Sequence, residues 1–494
     1  MSDTFVSETQ PRRLGRTIAQ NTVFVTLGNA TLKALSFLFS VYVVRRLGDD
    51  RFGQYSTVLA ILGLCSIVAE LGITQWAQRE IARDRTQTGV LFWNIVVLRL
   101  LLAVVGIAGI TLGTALAGYK PILVLGVFIA SCGFFLSAWD APLKMLLVAN
   151  EYFSYTVAAT VIGQLVVVFL GGALLLSGQG FISLIVATIV SILPQIAISA
   201  WAIKRHRLAE FPFSIRPRSW PRLIGAGLPF GVITLSLTIS FSIDSVMLSR
   251  LQPENVVGWY NVAYHLARNT LFFFSGFSVA MVPSLSQAYA HDTAVVDRWY
   301  YRSVKFILLA TLPLAVGGMM VAFPLIRFLY TEEFLPSAAA FQIIVWDVPV
   351  LMFASFCGNM TTVVSEERAA ARIYGVAAIV NIALNLYFIP RYSLLGAAAV
   401  TVITDLVAAI QFYWLLNRKL HLPPMLSLLT RIVIACAVMG LVVRLLGNHH
   451  VFILIGAGAA SYGAMVILLR LMDAREWAQL LRVLRLRREL PSSD

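Results

Sequence analysis

Long apolar runs separated by short polar stretches dominate the residue pattern of this chain. A run of roughly 20 apolar residues is long enough for an α-helix to cross the hydrocarbon core of a membrane. Counting such runs predicts about fourteen membrane-spanning helices. Their centres lie near Val25, Leu64, Leu101, Phe128, Val166, Ile189, Ile233, Phe273, Leu314, Val350, Val380, Ile403, Ala437 and Ile455. The pattern therefore predicts an all-α polytopic membrane protein.

Composition supports this prediction. Hydrophobic residues make up 59% of the 494 residues and charged residues 13%, against roughly 25% charged residues in an average soluble domain. The polar stretch 1–17 precedes an apolar run that is too long for a signal-peptide core, so we expect the first helix to remain in the membrane. The four cysteines lie in apolar runs without metal-ligand spacing, and we expect no metal site from them.

The basic residues predict the orientation of the chain. They concentrate in every second loop, at 12–16, 79–85, 144, 204–222, 298–305, 368–372 and 418–431, and from Arg470 onward. Because cytoplasmic loops collect lysine and arginine, this distribution places both termini in the cytoplasm. A net charge of +14 would also suit a nucleic-acid partner, but the alternation along the chain argues against one.

A faint internal repeat predicts the domain organisation. The stretch "RRLGDDRFGQY" follows the first span, and "SRLQPENVVGWY" follows the seventh. We predict two six-helix lobes, 18–203 and 223–417, related by a pseudo-two-fold axis along the membrane normal, with a cavity between them. The segment 204–222 is predicted to be a cytoplasmic hinge, 418–472 two additional spans, and 473–494 a basic amphipathic tail lying on anionic lipids.

The sequence favours transport over catalysis. The predicted outward loops are short, and the chain has neither a phosphate-cradling P-loop nor an HExxH motif. These features exclude ATP hydrolysis by the chain itself and leave no room for an extracytoplasmic active site. We therefore expect a transporter driven by a gradient or by downhill flow, and not an enzyme.

Charged residues inside predicted spans are the candidate functional residues. Lys33, Arg99, Arg268 and Asp244 lie within apolar runs, where a charge costs about 2.5–3.5 kcal/mol on insertion scales. Three basic groups and one acid would make a cationic cavity that suits phosphate esters, since guanidinium binds them bidentately. Asp244 would then be the group that binds H⁺ or Na⁺.

Each of these residues also has a purely structural alternative. Lys33 could extend to the interface, Arg99 could bond helix carbonyls, and Arg268 could pair with Asp244. His265 is a possible cavity residue, although a packing role is the more common one for such a histidine. Four acids are expected at helix ends, as caps or facing loops: Glu70, Asp140, Asp347 and Asp405.

Several segments resemble one family. They are "VVRRLGDDRFGQYS", "AELGITQWAQREIARD", "IDSVMLSRLQPENVVGWYNVAYHLA", "AMVPSLSQAY" and "NIALNLYFIPRYSLLGAAAVTVITD". In this order they resemble the Wzx-like oligosaccharide flippases, the polysaccharide-transporter branch of the multidrug/oligosaccharidyl-lipid/polysaccharide flippase (MOP) superfamily. The resemblance runs from about Arg16 to about Asn417, and Asp244 matches an acid in the family's seventh span.

The resemblance implies a function. Family members move undecaprenyl-diphosphate-linked oligosaccharides, such as O-antigen or exopolysaccharide repeat units, to the outer leaflet of the bacterial inner membrane by alternating access. We expect no cofactor, and coupling to H⁺ or Na⁺ is expected from the position of Asp244 alone. Expected partners are the lipid-linked glycan, anionic lipids, and polysaccharide polymerases or glycosyltransferases, and the chain is expected to be a monomer.

Alternative functions stay open at the level of sequence. The lipid II flippase is a sister, but its first-span Arg-Asp pair falls on Phe39 and Ser40 and its eighth-span Arg-Leu pair on His265 and Leu266. A multidrug or cation extruder of the MATE type is a second alternative, disfavoured by a net-positive cavity. A membrane polymerase or ligase would need a larger outward loop. A scaffold that recruits glycosyltransferases through the basic tail is the fourth.

Overall fold

The computed structural model describes residues 9–84, 88–208, 214–270, 285–289, 293–420, 426–447, 449–473 and 476–477. Within these ranges the regular secondary structure is helical and no strand occurs. The helices are α1 (Thr9–Glu70), α2 (Ile73–Arg83), α3 (Thr88–Leu116), α4 (Pro121–Ala149), α5 (Phe153–Leu176), α6 (Phe181–Val190), α7 (Ile192–Arg205), α8 (Trp220–Leu251), α9 (Glu254–Asn269), α10 (Thr293–Leu329), α11 (Pro336–Ile344), α12 (Asp347–Val363), α13 (Glu367–Asn417), α14 (Leu426–Leu445) and α15 (Val451–Leu468).

The predicted all-α polytopic fold is confirmed. Nine helical stretches within the described ranges are long and apolar enough to cross a membrane. Every predicted span centre falls in one of the helices above except Phe273, which lies outside the described residues. The number of spans, about fourteen, and the two symmetry-related lobes stay predictions.

Two of the longest helices are interrupted once each. The break in α1 is at Gly48 (φ 73°, ψ 175°) and the break in α13 is at Ser393 (φ 53°, ψ −133°). Gly48 has no Cβ to clash at positive φ, whereas the strained Ser393 donates a hydrogen bond from its hydroxyl to Gln252 Oε1 at 3.0 Å. Each break lies between two predicted spans. The polar stretches in the sequence therefore predicted the positions of these two turns.

The chain forms two compact units. The first comprises residues up to Asn261 together with Ile382–Leu394, and the second comprises Val262–Asn381 and Leu395 onward. The core of the first unit includes buried side chains of α2, α3 and α4, and that of the second unit includes side chains of α10, α12 and α13. The predicted lobes, 18–203 and 223–417, have different boundaries from these units and stay a prediction.

Part of the predicted hinge at 204–222, residues 214–220, is hydrogen-bonded to α3. The buried Asn94 donates from Nδ2 to the carbonyls of Val90 (2.7 Å) and Ser214 (3.1 Å). Its Oδ1 accepts from the backbone N–H of Arg216 (2.7 Å) and from Trp220 Nε1 (2.9 Å). Three of these bonds anchor residues 214–220 to α3, and the fourth, to Val90, lies within α3 itself. The role of this segment as a hinge stays a prediction.

A close helix crossing joins the two members of the sequence repeat within the first unit. A Cβ placed on Gly53 would collide with the carbonyl of Glu254, and a Cβ placed on Gly258 would lie 2.5 Å from the carbonyl of Asp49. Only glycine permits backbones to approach so closely, as in small-residue helix contacts of membrane proteins. The repeat therefore supplies the residues at which α1 and α9 cross.

Candidate functional site

Arg99 is a buried charge within the first unit. It lies on α3 with 4% of its surface exposed. Its Nη1 donates to Thr74 Oγ1 at 2.8 Å and lies 3.9 Å from Glu70 Oε1, while Nη2 reaches the carbonyl of Ser137 at 3.5 Å. The guanidinium thus bonds a helix carbonyl, as the structural alternative expected, and also has a carboxylate beside it.

The same arginine lines a cavity, as the functional alternative expected. The cavity has a volume of about 360 Å³, and its lining includes Glu70, Ser66, Ser137 and Thr188. Nearby on α4, Lys144 Nζ lies 2.7 Å from Asp140 Oδ2 and 2.6 Å from Gln195 Oε1. Glu70 and Asp140 therefore balance Arg99 and Lys144, so the positive excess expected from sequence is smaller here.

Asp244 is the centre of a polar cluster in the first unit. It lies on α8 and is 2% exposed. Its Oδ1 accepts from Asn385 Nδ2 at 2.6 Å, and its Oδ2 accepts from the hydroxyl of Tyr260 at 2.9 Å. Asn385 was not predicted as a site residue, although an asparagine inside an apolar run was the signal that could have revealed it.

Arg268 lies in the second unit among acids. Its Nη2 is 3.5 Å from Asp347 Oδ2 and 3.7 Å from Asp405 Oδ2, and its guanidinium carbon is 4.8 Å from the centre of the Tyr264 ring. One guanidinium with two carboxylates carries a formal charge of −1. This group is anionic as a whole, unlike the cationic contribution expected from Arg268 alone.

The expectation that four acids lie at helix ends is wrong for two of them. Asp140 and Asp405 lie inside α4 and α13. Glu70 ends α1 and Asp347 begins α12, but Asp347 is 2% exposed and does not face a loop. Each of the four acids has a basic side chain within 4 Å, as expected because a charge is kept inside a membrane protein mainly where it is paired.

The remaining candidates have exposed side chains. Lys33 is exposed on α1, and His265 is exposed on α9 beside Tyr264, with the ring centres 5.9 Å apart. That Lys33, Arg99 and Arg268 share one cavity stays a prediction. In the part of the chain that the structure describes, no group of at least three His, Cys, Asp or Glu residues could hold a metal ion.

An apolar groove of about 540 Å³ lies within the second unit. Residues of α10, α14 and α15 form much of it, including Pro313, Met439, Gly463 and Val466. Neither Gly463 nor the nearby Gly456 has a heavy atom within 4 Å of the place where a Cβ would stand, and only Gly463 lines the groove. The groove is therefore open at Gly463 and could accept a flexible apolar chain.

Polar contacts join the α3–α4 and α8–α9 connections of the first unit, which are predicted to face outward. Lys120 Nζ lies 2.6 Å from Glu254 Oε1, and the Tyr119 hydroxyl lies 2.9 Å from Ser249 Oγ. Partial burial acts to raise the pKa of the Glu254 carboxyl, but the Lys120 ammonium and a backbone hydrogen bond together outweigh it and hold the pKa below its usual value. Burial raises the pKa of Tyr119 despite its Ser249 hydrogen bond and nearby Arg250.

Buried ion pairs, an intramembrane cavity and an apolar groove in an all-helical polytopic chain are typical of membrane transport proteins. Comparison with known families agrees, and the chain belongs to the polysaccharide biosynthesis protein family, which matches residues 18–289. The MatE family matches residues 229–387. The resemblance to flippases of the MOP superfamily predicted from sequence is thus confirmed.

Individual relatives are distant. The chain is 19% identical over 402 residues to the "probable low-salt glycan biosynthesis flippase Agl15" of Haloferax volcanii, a match covering 78% of this chain and 81% of the relative. It is 25% identical over 183 residues to the "uncharacterized membrane protein MJ1068" of Methanocaldococcus jannaschii, a match that spans 36% of each chain.

A solved structure shares the fold. The lipid II flippase MurJ in an inward closed conformation is similar with a TM-score of 0.76 and 14% identity, covering 91% of this chain and 99% of that one. At this identity the likeness concerns the fold alone.

Proposed function

We propose that this protein is a flippase that moves a polyprenyl-diphosphate-linked oligosaccharide between the leaflets of a membrane, from the cytoplasmic to the outer one. The observation that carries the proposal is Arg99, a buried guanidinium that lines a cavity inside membrane-spanning helices. Membership of the polysaccharide biosynthesis protein family supports a glycan cargo.

Arg99 has the chemistry needed for the diphosphate. A guanidinium binds phosphate oxygens through two parallel hydrogen bonds and keeps its charge at any physiological pH. Its present partners, a threonine hydroxyl at 2.8 Å and a carboxylate at 3.9 Å, are ones that an incoming diphosphate could replace. Lys33 and Arg268 are proposed as further basic residues on the path, with Arg268 first released from Asp347 and Asp405.

The apolar groove of the second unit suits the lipid part of such a substrate. An isoprenoid chain is flexible and wholly apolar, and a groove of about 540 Å³ is of the size of small-molecule sites, about 300–1,000 Å³. Holding part of the prenyl chain in this groove would keep it out of water while the polar head crosses.

Asp244 is proposed as the coupling residue. A buried carboxylate held by Tyr260 and Asn385 can bind H⁺ or Na⁺, and neutralisation would change how strongly it holds both donors. Because Tyr260 is on α9 and Asn385 on α13, a change at Asp244 would reach both helices.

The test is transport by the purified chain in sealed vesicles. A fluorescent oligosaccharide on undecaprenyl diphosphate is placed in both leaflets, and an impermeant reductant quenches the outer pool. We expect the wild-type protein to let the reductant quench both pools within minutes, and protein-free vesicles to keep the inner pool. Quenching no faster than in protein-free vesicles would refute the proposal.

A cation extruder is the second candidate, favoured by one observation. Arg268 together with Asp347 and Asp405 carries a formal charge of −1, and a group of anionic side chains suits a cationic cargo. The same vesicles loaded with a cationic dye distinguish the two. Gradient-driven dye movement together with no glycolipid movement would establish the extruder, and the reverse result would establish the flippase.

A further inference from the structure

A basic cleft in the second unit lies apart from the residues discussed above. It has a volume of about 640 Å³. Its lining contains five basic side chains, Arg298, Arg302, Lys305, Arg431 and Arg470, and three acidic ones, Asp297, Asp473 and Glu476. The cleft therefore has a formal excess of two positive charges.

The floor of the cleft is a satisfied ion pair. Lys305 Nζ lies 3.0 Å and 2.8 Å from the two carboxylate oxygens of Glu476, and both residues are buried. Glu476 also accepts a hydrogen bond from the backbone N–H of Asp473 at 2.8 Å. The floor is electrically neutral, so the positive excess belongs to the rim.

The rim consists of four exposed arginines. Arg298 and Arg302 lie one turn apart on α10, Arg431 lies near the start of α14, and Arg470 follows the end of α15. In the described part of the chain no ion pair within 4 Å engages any of these four. Their guanidinium groups are thus available for an anion, and arginine forks match phosphate oxygens.

The position of the cleft indicates a membrane lipid as the source of that phosphate. The helices α10, α14 and α15 are long and apolar enough to span a membrane, and the rim arginines lie at or near their ends. Lipid phosphates occupy this level of a bilayer, and basic pockets between helices there bind anionic head groups. The basic-residue distribution predicts that this face is cytoplasmic.

Apolar residues flank the arginines. Leu426 and Leu429 precede Arg431 with 72% and 38% of their surface exposed, and Ile467 and Leu468 precede Arg470 with 64% and 73% exposed. A free phosphate would gain nothing from these side chains, whereas the acyl chains of a lipid would cover them.

We propose that this cleft is a binding site for the head group of an anionic glycerophospholipid of the adjacent leaflet. The rim arginines hold the phosphate, and the lipid's acyl chains pack on the flanking leucines and isoleucine. Anionic glycerophospholipids are major components of their leaflet, so by mass action they would fill such a site ahead of a scarce polyprenyl diphosphate. The proposal does not depend on the proposed transport function.

The test measures lipid binding to the delipidated full-length protein by native mass spectrometry. Phosphatidylglycerol and phosphatidylcholine with identical acyl chains are titrated separately. We expect tighter binding of phosphatidylglycerol, and a loss of roughly 30-fold in its affinity in the double variant Arg431→Gln/Arg470→Gln, with phosphatidylcholine binding unchanged. The matched control is Arg444→Gln, an exposed arginine at the other end of α14, which should bind as the wild type does.

Three results would overturn the proposal. The two lipids could bind equally, the double variant could retain full affinity, or inorganic phosphate or undecaprenyl diphosphate could displace phosphatidylglycerol at lower concentration than the lipid itself requires. If the double variant does not fold, the single variant Arg431→Gln replaces it in the test. We expect it to lower the affinity for phosphatidylglycerol as well.

Discussion

Gly53 and Gly258 occupy matching positions in the sequence repeat, and each faces the backbone of the other's helix. A Cβ on Gly53 would lie 3.2 Å from the nitrogen of Gly258, and a Cβ on Gly258 would lie 3.2 Å from the nitrogen of Gly53. Each glycine also meets the carbonyl of the residue four positions before its counterpart, Glu254 and Asp49. This reciprocity is what a local two-fold relation between the repeated segments produces.

Alanine at either glycine should therefore push α1 and α9 apart. We expect Gly53→Ala and Gly258→Ala each to lower stability by about 1–3 kcal/mol, the usual range for overpacking. The measurement is thermal unfolding in detergent. Gly109→Ala on α3, where no heavy atom lies within 4 Å of the added Cβ, is the control and should be neutral or slightly stabilising. Equal behaviour of all three variants would contradict the close crossing.

Asp244→Asn should remove ion coupling without unfolding the protein. Asparagine has nearly the same shape but cannot carry the charge that H⁺ or Na⁺ neutralises. We expect the flipping rate of the wild type, and of the exposed-acid control Asp50→Asn, to rise when an H⁺ or Na⁺ gradient is imposed. The rate of Asp244→Asn should not respond. A gradient response equal to that of the wild type would remove Asp244 from the coupling account.

Two glycines of α15 allow a matched pair of substitutions, one that fills the apolar groove and one that leaves it open. Leucine at Gly463 would project into the apolar groove, whereas leucine at Gly456 would not, and neither meets an atom within 4 Å at its Cβ. We expect Gly463→Leu to slow flipping of a long-chain polyprenyl substrate at least tenfold, with Gly456→Leu unchanged. Flipping assays with short and long prenyl chains measure this. Equal rates for the two variants would show that the groove holds no prenyl chain.

We expect the side chain of Asn94 to contribute strongly to the free energy of unfolding. Asn94→Ala removes three hydrogen bonds that hold residues 214–220 to α3, and a fourth to Val90 within α3 itself. At about 0.5–1.5 kcal/mol each, the loss is roughly 3 kcal/mol. Thermal unfolding should show a clearly larger drop than for Asn150→Ala, whose side chain makes one bond to its own helix. A drop no larger than that of the control would mean that the segment is held by other contacts.

Hydrophobic patterning predicted the long apolar helices, but no predicted span centre falls in the shorter helices α2, α7, α9 and α11. Membrane spans need a fixed length of apolar residues, so the predicted centres fall in helices wherever the structure describes them. The turns at Gly48 and Ser393 were also recognisable, because polar residues interrupt the apolar pattern near them. The anchoring of residues 214–220 to α3 could not be predicted from the sequence. A loop rich in proline and arginine has the same composition whether or not a distant asparagine bonds its backbone.

The charged residues were found but their partners were not. A lone charge in an apolar run is visible in sequence, so Arg99, Asp244 and Arg268 were identified. Their partners depend on which helices pack together: Arg268 contacts Asp347 from α12 and Asp405 from α13. These contacts are between residues far apart in sequence. Because of them, Arg268 and its two acids have a net negative formal charge where the sequence predicted a positive one.

The proposed function depends on recognition of the diphosphate of a lipid-linked glycan by Arg99. The most direct measurement is the ratio of flipping rates for the diphosphate-linked and monophosphate-linked forms of one glycolipid, in wild type, Arg99→Gln and the control Arg444→Gln. We predict that the wild type and the control favour the diphosphate form and that Arg99→Gln brings the ratio close to one. A folded Arg99→Gln protein that keeps the wild-type ratio would contradict the account.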